Sequence, residues 1–118
     1  MMGSYSYPGN TRVLVTVQDQ QVSFRFDMTI EVIIAEKGED GGILDRKYFL
    51  LPESSAEELC NIIQNEKVHE VICGGIKDEY YQYLVWKKVA VFCNIIGPVE
   101  KCLDAWGRGV LVDDTIFR

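Results

Sequence analysis

Val71-Ile-Cys-Gly-Gly-Ile76 and Val89-Ala-Val-Phe-Cys-Asn-Ile-Ile-Gly-Pro-Val-Glu-Lys-Cys-Leu-Asp-Ala-Trp-Gly-Arg-Gly109 decide how this chain folds. Each reads as a short buried strand, a tight turn and then a helix. Each strand ends on a cysteine, Cys73 or Cys93. Adjacent parallel strands of an open α/β sheet end side by side, at the edge where such sheets bind ligands. The two thiols are therefore expected to meet there, beside two helix N-termini.

Upstream, Arg12-Val-Leu-Val-Thr-Val17 is a continuous apolar, β-branched run, which suits a strand covered on both faces. Val22, Phe24 and Phe26 then alternate with Ser23, Arg25 and Asp27, a period that fits a short strand or an ordered loop with aromatic anchors. Residues 29–36 and 43–51 read as the two strands of a hairpin around Lys37-Gly-Glu-Asp-Gly-Gly42, and Pro52 ends it. Ser54 and Ser55 each have a glutamate three residues on, so either pair makes a capping box for an amphipathic helix running to about Glu66. Residues 78–87 suit a short aromatic helix. Pro98 suits the first turn of the last helix, in which Val99, Cys102, Leu103 and Trp106 share a face and Gly107 or Gly109 stops the chain.

The order is β-β-β-α-β-α-β-α. Right-handed crossovers make the last two strands parallel and put helices on both faces. The expected fold is a ribonuclease-H-like three-layer α/β arrangement with a mixed sheet of about five strands. The single domain is expected over residues 12–112, between an N-terminal tail, 1–11, and a C-terminal tail, 113–118.

The 118-residue chain has a net charge of −6 and a pI near 4.7, which disfavours binding to a nucleic-acid backbone. No apolar run is long enough to span a bilayer. The opening ten residues lack a basic and then apolar signal sequence, so the expected location is cytoplasmic. The four cysteines are then read as thiols rather than disulfides.

The glycine pair after Cys73, the strand ending in Cys93, and Gly97-Pro-Val-Glu-Lys-Cys-Leu-Asp-Ala-Trp-Gly-Arg-Gly-Val-Leu111 resemble the dinitrogenase iron–molybdenum cofactor biosynthesis family. The likeness runs from about Arg12 to Leu111. It implies a carrier of an iron–sulfur or iron–molybdenum species in nitrogenase assembly, with metallocofactor assembly or acceptor proteins as partners. One departure stands out. Where the family has a Ser-Pro-His-Phe-Gly-Arg stretch, this chain has Ser23-Phe-Arg-Phe-Asp-Met28, so Arg25 replaces the histidine that would ligate a cluster. A guanidinium does not ligate iron, but it pairs with anions.

The candidate site comprises Cys73 and Cys93 as soft metal ligands, Arg25 for charge, and the backbone N–H groups of Gly74, Gly75 and Gly97 for an anion. Simpler readings stand beside these. Buried cysteine packs as a small hydrophobe, a glycine turn needs only its backbone freedom, and Arg25 is a solvated side chain between Phe24 and Phe26. Cys60 and Cys102 lie on apolar helix stripes and read as core. His69 reads as a solvated surface residue, distant from the cysteines. Tyr80, Tyr81, Tyr83 and Trp86 fit either core shoulders or an exposed strip for a partner or homodimer. No enzymatic activity is expected. The first strand and Glu70-Val-Ile-Cys73 lack the clustered carboxylates of a two-metal nuclease, and no nucleophile–base spacing occurs. The primary reading is a non-enzymatic carrier of an anionic metal cofactor. The alternative is a metal-free interaction or small-anion-binding domain.

Overall fold

The computed structural model describes residues 10–118. Strands β1 (Thr11–Gln18), β2 (Gln21–Val22), β3 (Glu31–Lys37) and β4 (Ile43–Leu50) precede helix α1 (Ala56–Asn65). Then follow β5 (Glu70–Ile72), α2 (Asp78–Trp86), β6 (Ala90–Phe92) and α3 (Val99–Gly107). The sheet runs β4-β3-β1-β5-β6, with β2 pairing β1 off that path. β1 is antiparallel to β2 and β3, and parallel to β5, which is parallel to β6. The hairpin-first, mixed, three-layer arrangement expected from the sequence is present, with the two-residue β2 added. Residues 26–28 are a 3-10 turn, so the alternating stretch around Phe24 is an anchored loop beyond Val22.

Alternation along β1 divides the core. Val13, Val15 and Val17 join the α3 layer, with Ile72, Cys102, Leu103 and Trp106. Leu14 joins the α1 and α2 layer, with Val71, Cys73, Leu59, Ile63 and Leu84. α1 starts where the capping box requires, and of the two candidates Ser55 is the N-cap, its side chain accepting from the Glu58 N–H at 3.1 Å. Just past the end of α3, Gly109 (φ 72°) turns the chain away, its N–H donating to the Trp106 carbonyl.

Trp106 locks the end of the sheet farthest from the cysteines. Its indole N–H donates to a Glu70 carboxylate, and the Lys37 ammonium lies 4.3 Å from its ring centroid and donates to its carbonyl. The β3–β4 turn reaches the same place, where a Cβ on Gly41 would lie 2.2 Å from the Gly107 oxygen.

At the opposite end, residues 23–26 fold over the β5 terminus as a strap. Gly74 N–H donates to the Ser23 carbonyl, Gly75 N–H to the Phe24 carbonyl, and Phe26 N–H returns to the Gly75 carbonyl. A Cβ on Gly74 would sit 2.4 Å from the Ser23 oxygen and 2.6 Å from the Phe24 oxygen, so glycine is required for this contact. Phe26 is fully buried beneath the strap and packs against Tyr80, with ring centroids 6.1 Å apart.

Urea denaturation should separate these two locks. Trp106→Ala, which empties a fully packed site, should cost about 3–5 kcal/mol. Gly74→Ala should cost about 1–3 kcal/mol by pushing the strap off the sheet edge. A Gly74→Ala protein as stable as the parent would mean that the strap does not pack as described.

Candidate functional site: two thiols under a closed sheet edge

The pairing of Ile72 with Phe92 in the parallel β5–β6 ladder carries Cys73 and Cys93 to neighbouring positions at the strand ends. Both pack in the α1 and α2 layer. The sequence expectation that they are brought together therefore holds. Their surroundings differ from a primed metal site. Cys73 has no exposed surface, and burial above all, then the neighbouring Cys93 and Asp113, raises its thiol well above the ordinary range. Cys93 is half-buried. Burial raises its thiol too, and the Asp113 and Asp114 carboxylates add to the effect, against a backbone hydrogen bond that lowers it. Reactive cysteines sit near cations or helix N-termini that depress the thiol pKa. These two are held protonated at neutral pH.

Residues 113–118, read from the sequence as a C-terminal tail, supply that acidic neighbourhood. Asp114 N–H donates to the Cys93 carbonyl, and Cys93 N–H donates to the Asp113 carboxylate at 3.0 Å. Asn94, at φ 59°, donates from its side-chain amide to Asp114, itself at φ 65°. Short polar side chains tolerate that left-handed backbone, so the two turns interlock. Further along, Ile96 N–H donates to the Thr115 carbonyl, Phe117 N–H donates to the Ile96 carbonyl, and Gly97 (φ 135°) lies beneath Phe117. A Cβ at Gly97 would come within 2.7 Å of the Phe117 Cβ.

The glycines therefore do not act as expected. The N–H groups of Gly74 and Gly75 are spent on the strap carbonyls, and Gly97 is buried under the C-terminal segment, its carbonyl accepting from Val22 N–H. All three serve close backbone approach rather than an open anion cradle. Arg25 also has a partner. Its guanidinium forks onto Asp27 at 3.1 and 2.8 Å, and Lys77 approaches the same carboxylate at 3.6 Å. Partial burial alone would raise the Asp27 pKa, but the Arg25 bonds and the two cations together hold it below the ordinary value. The guanidinium remains about half exposed, so Arg25 on the strap and Lys77 at the start of α2 form a small cationic rim around Asp27. This rim, with Lys77 in it, was not read from the sequence, because only the fold of the strap onto Gly75 brings residues 25 and 77 together.

Cys60 and Cys102 are core residues as expected, and burial raises both thiols, that of Cys102 to about 11. His69 departs from expectation. It is half-buried, and its Nδ1 accepts the Arg12 backbone N–H at 2.9 Å. Burial is the main cause of its lowered pKa. It does lie at the other end of β5 from Cys73. The α2 aromatics divide between the two readings: Tyr80 packs on Phe26, while Trp86 is exposed with the Lys87 ammonium 5.0 Å from its ring centroid. Among the described residues, no group of three or more His, Cys, Asp or Glu side chains is arranged to hold a metal ion. One buried side-chain oxygen among them lacks a partner, Thr16 Oγ1, one step beyond the Val15–Ile72 pair and so on the Cys73 side of β1. No helix there is long and apolar enough to cross a membrane.

No family model matches the sequence, and no curated protein matches it. Solved structures do. The protein PH0822 aligns with a TM-score of 0.78 at 20% identity, over 88% of this chain and 95% of that one. A Methanocaldococcus jannaschii protein provisionally named a dinitrogenase, MJ0327, gives 0.71 at 21%, over 86% and 92%. A Thermotoga protein, TM1290, provisionally named a NifB protein of the DUF35 family, gives 0.66 at 20%, over 92% and 97%. At these identities the likeness is one of fold, and this chain shares the three-layer α/β fold of those proteins over nearly its whole length.

Proposed function

We propose that this protein is a non-enzymatic binding protein that carries an anionic iron–sulfur or iron–molybdenum species during metallocofactor assembly. The observation that supports this reading is the juxtaposition of Cys73 and Cys93 at the ligand-binding edge of the parallel strands. Thiolates are the protein donors that iron–sulfur species prefer. Two thiols are an incomplete set, so the remaining iron positions stay filled by the cargo's own ligands. Cys93 is the reachable donor, since Cys73 lies wholly inside. Arg25 on the strap and Lys77 at the start of α2 contribute positive charge beside the edge, shared with Asp27. The names borne by MJ0327 and TM1290 agree with a nitrogenase-associated role.

A second reading has its own observation. The acidic pair Asp113 and Asp114 beside Cys93, with the Gly74 and Gly75 N–H groups already bonded, suits a metal-free interaction domain that keeps the fold. In both readings the chain works by binding, with acceptor or assembly proteins as its partners.

Anaerobic reconstitution with iron and sulfide, followed by desalting, metal analysis and visible spectra, distinguishes the two. The carrier reading expects iron retained by the parent and lost in Cys93→Ser. Cys102→Ser should instead retain iron while losing about 1–3 kcal/mol of stability, because a hydroxyl replaces a buried thiol. A parent protein that keeps no iron would overturn the carrier reading.

Retention should also rise between pH 7 and pH 9. A metal displaces the thiol proton, and with thiol pKa values raised by burial the thiolate is scarce at neutral pH and gains population as pH increases. Iron content that is flat across this range would place the donors somewhere other than Cys73 and Cys93.

A further inference from the structure

The two edges of the sheet are unlike. On one side the sheet ends in β6, three residues long. On the other it ends in β4, eight residues long and paired only with β3 among the described strands. Leu51 N–H donates to the Ile30 carbonyl at 2.7 Å, which sets the alternation of the β3–β4 ladder. In an antiparallel pair, residues alternate between facing the partner and facing away. The odd-numbered residues from 45 to 51 therefore bond to β3, and Arg46, Tyr48 and Leu50 turn their N–H and C=O groups outward. Leu44, Tyr48 and Leu50 are 60%, 65% and 75% exposed along this strand.

We propose that β4 is a docking edge for a second copy of this chain, paired antiparallel about a two-fold axis at Arg46. The charge order of the strand selects this partner and this register. Pairing about Arg46 sets Asp45 of each copy opposite Lys47 of the other. Opposite charges facing one another across strands are stabilising. Each Arg46 meets its counterpart with its charge already balanced, forked by Glu100 at 2.6 and 2.8 Å. Moving the axis one residue, to Lys47, would place Lys47 against Lys47 and leave Asp45 facing Phe49. Isolated edges are commonly guarded by an outlying lysine. Here Lys47 is drawn aside to Glu66, 3.1 Å away, and in the pairing it lies between two carboxylates. The bulge falls at Leu44, between the Lys37–Ile43 and Glu36–Asp45 pairs, and the ladder is regular from Asp45 to Leu50, the stretch that holds the Asp45–Lys47 pairs. A two-fold contact of this kind is closed and joins the two sheets into one.

Sedimentation equilibrium on the full chain tests the proposal, with the parent expected to be a dimer at tens of micromolar. Asp45→Lys should raise the dissociation constant about tenfold or more, since both cross-strand ion pairs become repulsions. Glu79→Lys makes the same charge change on exposed α2 and should leave dissociation unaltered. Tyr48→Pro removes an N–H that points away from β3 and should give a monomer with the parent's circular dichroism, since proline is tolerated on edge strands. A parent that stays monomeric at hundreds of micromolar overturns the inference. So does a dimer indifferent to both Asp45→Lys and Tyr48→Pro, which would place the interface elsewhere, such as the Trp86 strip of α2.

Discussion

β1 has no face that can meet water. Val13, Leu14, Val15 and Thr16 are wholly buried, and their side chains alternate between two apolar layers. A strand of this kind is stable only with helices above and below it and strands on both sides, and the rest of the fold supplies both. β3 brings the antiparallel hairpin to one side, and β5 brings the parallel units to the other. Because β1, β5 and β6 are parallel, their C-terminal ends share one edge, and the candidate cofactor-site residues belong to that edge or to the loops over it.

The edge is closed by the chain's own backbone. The strap bonds to Gly74 and Gly75 on one side, and residues 113–117 bond to the Cys93 and Ile96 turn on the other. Closure of this sort excludes water from Cys73, and a thiol without water keeps its proton. The carboxylates that arrive with the C-terminal segment push in the same direction. The unpartnered Thr16 hydroxyl is the residual polar cost of this closure, since a buried group without a hydrogen bond is destabilising. On the carrier reading proposed above, a metal would have to displace these protons, so its uptake would depend on pH.

Much of the architecture was legible in local pattern. The apolar run of β1, the hairpin around Gly41 and Gly42, the Ser55 cap and the buried stripe of α3 each depend on neighbours in sequence. Those signals follow from periodicity and backbone preference, which act over a few residues. The meeting of Cys73 and Cys93 was also legible, because parallel strands with similar ends align their termini. The loop after β1 was ambiguous for a physical reason: an alternating pattern of three apolar and three polar residues, Val22 to Asp27, satisfies a strand and an anchored loop equally.

What the sequence by itself determined was therefore the order of elements, the two-faced burial of β1 and the side-by-side placement of the thiols. Only the tertiary structure decided what surrounds them. That Gly74 and Gly75 bond to a strap, that Gly97 lies under Phe117, that Lys77 reaches Asp27, and that His69 accepts from Arg12 all depend on segments distant in sequence. A backbone N–H in a glycine turn looks the same in sequence whether it faces an anion or a carbonyl. Which one it meets is set by the path of a loop some fifty residues away, and that path is fixed by packing Phe26 into the core.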